Sequence, residues 1–380
     1  MEDNIIYLDN AASTKPYQVV LDEVRLAMLI DYGNPSALHP IGEKAKRLLE
    51  DSRQVIAHSI NAEPEEIYFT SGATEANNWV KHIIRDNRYF YCSTIEHKSI
   101  LDLSLNGNQI LTGNNGVVSA SDLGIALERR ADSLVDPLIS VMYVNNEVGT
   151  IQPIRYLSEI VHQYNGIFHT DATQAYTKIP IDVKELGVDM LSASGHKIYG
   201  PKGVGFLYIS NKVQEQMFIQ PLIRGGGQER KMRSGTENVP SIAGMAVAVK
   251  ESISTMGNDT LAIRSTRDYM YEEIIKRISD CGTNVELGDN VVPSILNMYF
   301  DGVDGQELVI LMGEKGVCAS AGSACSSGNN LPSHVLKAMD ISDERARSSV
   351  RFSLGHDTTR KDVDQAVKVI RECVESLRMF

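Results

Sequence analysis

Lys197 stands in the run Ser194-Gly195-His196-Lys197, directly after an apolar, strand-like stretch and before a Gly-Pro-Lys-Gly turn at 200–203 that leads into a second apolar stretch. Most lysines are solvated surface charges, but flanking apolar strands disfavour full exposure here. An amine in desolvating surroundings has a lowered pKa and can form a Schiff base with a carbonyl. Two further strand ends are polar. Ser71-Gly72-Ala73-Thr74 is a small-residue turn at the predicted start of a helix, where backbone N–H groups and a hydroxyl can hold a phosphate. Thr74 also reads as an ordinary N-cap. Asp171 follows the apolar run 167–170, with Gln174 three residues on; the aspartate suits a cationic ring nitrogen or a cap on the next segment. Phosphate turn, aspartate and lysine together match what pyridoxal 5′-phosphate requires: an anchor, a partner for its pyridinium and an amine for its aldehyde. Neither the Ser71 turn nor the turn at 200–203 has Walker spacing, which disfavours a nucleoside-triphosphate loop.

A second reagent lies far down the chain. Cys325 sits in Ser-Ala-Gly-Ser-Ala-Cys-Ser-Ser-Gly-Asn-Asn at 320–330, a segment with little to pack and much backbone freedom, predicted to be a surface loop. An exposed, unpartnered thiol suits a reactive or carrier role, although chance exposure gives the same pattern. Cys318, after Gly316-Val317, reads as a core residue. His97, next to Glu96, follows another strand-like run and is either catalytic or an ordinary surface or core histidine. Arg351, in the apolar-flanked run 349–353, suits a substrate carboxylate or a structural ion pair. The glycine-rich, basic stretch 225–236 reads as a solvated linker that could also reach an anion.

The elements that must position these groups follow from periodicity. Apolar residues between Pro40 and Ile60 fall at helical spacing. Strand-like runs at 66–70, 89–94, 138–144, 167–170, 188–192 and 203–209 alternate with helix-like segments such as 154–164, which predicts an α/β fold with a mostly parallel sheet. Ligands of such sheets bind beyond the carboxyl ends of the strands, where Thr74, His97, Asp171 and Lys197 all fall. The apolar stretch 239–249 reads as a buried helix. Beyond Gly257 the texture changes to a helix at 261–278, strands at 294–300 and 350–354, and a closing helix. The expected organisation is a large domain at 14–257 and a smaller α+β domain built from 1–13 and 258–380.

Bulk properties narrow the class. The 380 residues are 42% hydrophobic and 23% charged, ordinary for a soluble globular chain. A formal net charge of −12 disfavours nucleic-acid binding. No stretch is long and apolar enough to cross a membrane, and the opening MEDNIIYLDN does not read as a secretory signal. Five scattered cysteines without a CxxC pair predict neither a disulfide framework nor a zinc site, and fit a reducing, cytoplasmic setting.

Taken together, ten segments resemble the cysteine desulfurases of the NifS/IscS type, fold-type I pyridoxal-phosphate enzymes related to class V aminotransferases. They are YLDNAAST at 7–14, GNPSALH at 33–39, FTSGATEANN at 69–78, EHKSIL at 96–101, VNNEVGT at 144–150, HTDATQ at 169–174, SGHKIYGPKGVG at 194–205, MRSGTEN at 232–238, GSAC at 322–325 and RFSLG at 351–355. They run nearly end to end in the family's order. The resemblance implies a seven-stranded, mostly parallel sheet in the large domain and a homodimer. It implies that Lys197 tethers the cofactor and shuttles protons, that His97 stacks on its ring, that Asp171 pairs with the ring nitrogen and that Gln174 bonds the phenolic oxygen. Ala73, Thr74, Ser194 and His196 would hold the phosphate with Thr236 of a neighbouring subunit. Asn146 would contact both cofactor and substrate, and Asn34 and Arg351 would join it at the substrate carboxylate.

Cys325 would be the nucleophile, in the family's longer loop type (Ser-x-Gly-Ser-Ala-Cys), with His97 the candidate for activating its thiol. The implied reaction takes sulfur from L-cysteine, leaves L-alanine, and passes a persulfide to an acceptor such as an iron–sulfur scaffold protein. No resident metal is expected, with Cys325 a possible transient ligand of an iron–sulfur cluster. The short stretch between the last predicted helix and Phe380 implies that the tail of some housekeeping members is missing. Transamination or selenocysteine lysis would explain Lys197 and Asp171 but gives no reason for Cys325. A non-catalytic scaffold would explain none of the three.

Overall fold

Largely apolar runs of three to five residues, buried on both faces, build the centre of the molecule. The structure is a computed structural model that describes residues 5–83, 89–105, 108–129, 136–217, 219–322 and 332–379. Its strands are β1 (Ile6–Tyr7), β2 (Ile67–Thr70), β3 (Phe90–Ser93), β4 (Gln109–Ile110), β5 (Leu138–Ser140), β6 (Ile167–Asp171), β7 (Met190–Ser194), β8 (Gly205–Ile209), β9 (Cys281–Thr283), β10 (Ile295–Phe300), β11 (Val317–Cys318) and β12 (Ser349–Ser353). Seven of them form one sheet in the order β2-β8-β7-β6-β5-β3-β4. Only β8 runs against its neighbours, pairing antiparallel with both β2 and β7, while β7, β6, β5, β3 and β4 pair parallel. Every residue of β2, β3, β5, β6, β7 and β8 is buried, as expected of strands covered by helices on both faces. The run expected at 138–144 ends as a regular strand at Ser140, yet the amides of Val141 and Tyr143 still donate to the carbonyls of His169 and Asp171.

Helices fill the gaps for local reasons. Pro40–Ser59 opens with proline at its first position and with His39 Nδ1 accepting from the Gly42 amide. Ala73–Ile83 begins immediately past the turn after β2, so Thr74 lies inside its first turn and is not its N-cap. The segments expected as separate helices at 239–249 and 261–278 are one helix, Val239–Arg277, of 39 residues. Its first half buries Val239, Ile242, Met245 and Val249 against the large sheet's core. Its second half buries Met270 and Ile274 in another core, with Leu296, Phe300, Phe352 and Val367. The helix passes unbroken through 257–258. That second core lies on the antiparallel sheet β12-β10-β9, and Ile6 and Leu8 pack into it through the parallel pair β1–β11. Among the described residues no helix is long and apolar enough to cross a membrane.

Candidate active site

Beyond the carboxyl ends of β2, β3, β6 and β7 the chain leaves a cleft of about 530 Å³. Its walls carry Ala73 and Thr74 after β2, His97 after β3, Met142, Val144 and Asn146 after β5, Asp171 and Gln174 at the end of β6, Ser194, His196 and Lys197 after β7, and Arg351 from β12. Ten of the expected site positions therefore line one cleft in three arcs: a helix start, a buried carboxylate and a lysine. Asn34 and Thr236 do not line it; both are exposed, and Asn34 Oδ1 accepts from the Ser36 amide. Cys325 lies outside the described residues.

Lys197 is half-buried at the centre. Its Nζ donates to the carbonyls of Ala11 (2.6 Å) and Ala12 (2.7 Å), delivered by the chain just after β1. Asp171 is buried at the end of β6, where Oδ1 accepts from the Thr173 amide (2.9 Å) and Oδ2 from Asn77 Nδ2 (2.8 Å). The aspartate thus does cap the following turn. It also remains a buried carboxylate held by neutral donors only, with no ion pair to it among the described residues, and such a charge calls for a cationic partner. Thr173 Oγ1, which lines the cleft, is buried without a hydrogen-bond partner. These features fit a ring with a protonated nitrogen.

The end of the cleft at the Gly72 turn is built by close backbone approach. A Cβ on Gly205 would come within 2.5 Å of the Ala193 carbonyl oxygen and 2.7 Å of Gly72 Cα, so β8 can lie against the Gly72 turn only with glycine there. Glu75 in the helix's first turn would repel a phosphate if left alone. Burial would raise its pKa, but hydrogen bonds from Arg233 (2.8 and 3.0 Å) and the Ser71 amide outweigh burial and hold it below the usual carboxylate range. Its charge is therefore taken up by a bidentate guanidinium. Arg233 belongs to the stretch expected as a solvated linker. That stretch is anchored instead, through Arg233 and through Glu229, which pairs with the buried Arg53 at 2.7 Å. His196 is pushed down to about 4 by burial, then by the charges of Lys197, Lys202 and Lys178, so at neutral pH it offers one N–H and no charge.

At the opposite end Arg351 does what either expectation required. Its Nη2 pairs with Asp9 (2.7 Å) and its Nη1 donates to the Asn146 carbonyl (2.8 Å), yet it lines the cleft and its buried Nε has no partner. His97 is pushed below its ordinary pKa by burial, offset in part by Asp171 and reinforced by Lys197. Its Nδ1 accepts from the Ser99 amide (3.2 Å), which places the proton of the neutral ring on Nε2. In this arrangement the uncharged His97 presents an N–H at Nε2. Cys318, expected in the core, is only half-buried.

Sequence reasoning missed Ala11 and Ala12, whose contribution is backbone carbonyls and leaves no side-chain signal. It also missed Asn77, Lys178 and Lys202. Asn77 and Lys202 each lie inside a stretch that resembles the family, FTSGATEANN and SGHKIYGPKGVG, and that was the available signal.

The comparisons with known proteins match this geometry. The model of the aminotransferase class-V family matches residues 6–366. The cysteine desulfurase IscS of Dictyoglomus turgidum is 40% identical over 385 residues, covering 98% of this chain and 95% of that protein. A solved NifS-like protein from Rickettsia africae is 31% identical with a TM-score of 0.87, covering 98% of this chain and 99% of that one. SspA, solved in complex with cysteine, is 35% identical with a TM-score of 0.76 over 92% of this chain and 98% of that one. The chain belongs to the class-V aminotransferase family, among the cysteine desulfurases of the NifS/IscS type. It is accordingly a fold-type I enzyme whose cofactor is pyridoxal 5′-phosphate.

Proposed function

We propose that this protein takes sulfur from L-cysteine, releasing L-alanine, and carries it as a persulfide on Cys325 to an acceptor such as an iron–sulfur scaffold protein. The observation that carries the reading is the convergence of Lys197, the unpaired buried Asp171 and a helix start on one cleft. Pyridoxal 5′-phosphate supplies, when bound, a carbon that takes up the substrate's amine and a ring that draws electrons from the bonds around Cα. The chain's own groups do the rest. Ala73, Thr74, Ser194 and His196 hold the phosphate, with Thr236 of a partner subunit. Asp171 keeps the ring nitrogen charged, Gln174 donates to the ring oxygen, and Asn146 contacts both ligands. Asn34 and Arg351, through donors such as its unpartnered Nε, orient the substrate carboxylate. Lys197 Nζ, once it leaves the two carbonyls, serves as tether and as acceptor of the Cα proton. His97 packs on the ring and is the candidate for activating the Cys325 thiol by taking up its proton. Cys325 attacks the substrate sulfur as a thiolate: the S–S bond forms as the C–S bond breaks, and the carbon left behind is protonated to alanine.

A homodimer belongs to this reading. Leu26, Met28, Leu29, Ile30, Tyr32 and Leu38 expose an apolar surface along and beyond the helix Gln18–Ile30, and large exposed apolar patches mark interaction sites. Thr236 is exposed and stands away from its own chain's cleft, as a residue given to a neighbour's site would. We also propose a cytoplasmic setting, in keeping with the unpaired Cys92, Cys281, Cys318 and Cys373, and a division into the domains 14–257 and 1–13 with 258–380. Mass spectrometry after addition of L-cysteine should find one extra sulfur on Cys325. Cys325→Ala should keep the yellow, borohydride-sensitive cofactor and lose alanine formation. A Cys325→Ala enzyme that forms alanine at the wild-type rate would end the persulfide scheme.

A further inference from the structure

We infer that Lys178 is a positioning residue that orients the Gln174 side-chain amide, turning its NH₂ group toward Ala11 and leaving the second N–H of that group as the donor for the cofactor. The inference rests on the reading that pyridoxal 5′-phosphate occupies the cleft. Gln174 lines the cleft and is buried. Lys178 does not line it. Its side chain borders a separate chamber of about 40 Å³ behind Lys197, closed by Tyr17, Tyr199, Ser252 and Ser294 among others. From that side Lys178 Nζ donates to Gln174 Oε1 at 2.7 Å, and Gln174 Nε2 donates to the Ala11 carbonyl at 2.8 Å. The orientation of a glutamine amide is ordinarily an assignment, but here both neighbours decide it. A backbone carbonyl only accepts, so the NH₂ must face Ala11, which turns the oxygen to Lys178 Nζ, a donor whether charged or neutral.

The contact is held in place at both ends. The Lys178 carbonyl accepts from Thr260 Oγ1 (3.5 Å), and the Ala11 carbonyl also accepts from Lys197 Nζ. Burial, then the charges of Lys197 and Arg351, push the Lys178 amine down to about 7. Asp259, Tyr17 and Tyr199 border the same chamber. An amine donates N–H in either protonation state, so the hold on Gln174 persists through neutral pH. A donor fixed at the ring oxygen favours its ionised form, so loss of that donor raises the pH midpoint of the bound cofactor's visible absorption.

The test compares wild type, Lys178→Met, Lys178→Arg, Gln174→Ala and the Lys178→Met/Gln174→Ala double variant, each reconstituted from apoprotein with pyridoxal 5′-phosphate. The absorption is titrated with pH, and cofactor affinity is read by fluorescence. Lys178→Met should raise the midpoint by about one pH unit and weaken affinity by roughly tenfold. Lys178→Arg, which keeps a donor, should stay near wild type. In the Gln174→Ala background Lys178→Met should add nothing. A Lys178→Met enzyme that titrates like wild type overturns the inference, as does full additivity in the double variant, which would mean that Lys178 acts by charge alone. If the methionine variant does not fold, a wild-type holoenzyme crystal structure decides: Lys178 Nζ out of reach of Gln174 Oε1 refutes the positioning, and contact at hydrogen-bond distance supports it. Wild-type protein with no borohydride-sensitive band would instead refute the cofactor reading itself.

Discussion

Glu229→Ala removes one half of a buried ion pair on which the segment leading to Thr236 depends. The side chains of Arg53 and Glu229 are each 2% exposed and are joined by hydrogen bonds of 2.7 and 2.8 Å. Glu229 also accepts from the Phe69 amide at 2.8 Å, next to the turn that carries Thr74. Without it Arg53 keeps Glu50, whose side chain is 49% exposed, the carbonyl of Ile67 and the face of the Phe69 ring. Breaking a buried pair from one side costs about 3–5 kcal/mol, because the remaining charge is stranded. The surviving partners of Arg53 favour the lower half of that range, while the orphaned Phe69 N–H adds part of its own cost of about 1–3 kcal/mol. We therefore expect a loss of roughly 4 kcal/mol. The turn held by the pair is itself unfavourable, since Glu229, Arg230 and Lys231 all lie in the left-handed region at φ 46, 55 and 68°. The assay is denaturant unfolding at constant protein concentration. Arg53→Met/Glu229→Leu, which replaces the pair with apolar groups, should recover all but about 1–3 kcal/mol, the share of the Phe69 amide. A single variant that loses less than about 1 kcal/mol, or a double variant less stable than the single, would refute the reasoning.

Two further outcomes follow from the cleft's surroundings. Burial, opposed by hydrogen bonds from Ser93 and the Met142 amide and reinforced by Asp171, pushes the Glu96 carboxyl from 4.5 up to about 8. The native state therefore holds a proton that the unfolded chain releases, so Glu96's stabilisation is complete below pH 4.5 and is lost as pH rises to about 8. The slope is at most about 1.4 kcal/mol per pH unit, and Glu96→Gln should flatten it in a pH series of unfolding measurements; an unchanged slope would put the titrating group elsewhere. Gly205→Ala places a methyl 2.5 Å from the Ala193 carbonyl oxygen. It should cost about 1–3 kcal/mol and loosen cofactor retention on dialysis, and wild-type melting and retention would contradict the close-approach argument.

How much of this was readable depends on what kind of group does each job. Lys197, Asp171, His97 and Thr74 are polar side chains placed just after apolar runs, and those runs became β7, β6, β3 and β2; a change of residue type marked both strand end and site. Lys197's own partners left no such mark, because they are carbonyls of two alanines 186 and 185 residues away. Arg53 and Glu229 are separated by 176 residues, so neither charge signals the other, and the stretch 225–236 read as solvated linker. The two-residue strands β1, β4 and β11 are too short to display a period. The helix Val239–Arg277 read as two because its halves bury different faces in different cores, with the polar Gly257-Asn258-Asp259 between them.

Charge explains why an acidic chain can serve two anionic ligands. The formal net charge is −12, yet Lys197, Lys202 and Arg351 line the cleft and Lys178 stands behind it. The carboxylates close by are kept from cancelling this field: Glu75 is engaged by Arg233, and Asp9 is shared between Arg351 and the Ser320 hydroxyl. Among the described residues Asp171 is the cleft carboxylate without an ion pair, and it lies buried at the end of β6, as the proposed partner of a ring nitrogen would. Burial, then the charges of Lys197, Lys202 and Lys178, hold His196 neutral, so that side of the cleft gains a hydrogen-bond donor without an added charge that burial would penalise. Small anions are drawn into the cleft while the acidic exterior repels polyanions, so the sign of the whole chain and that of its site are opposed.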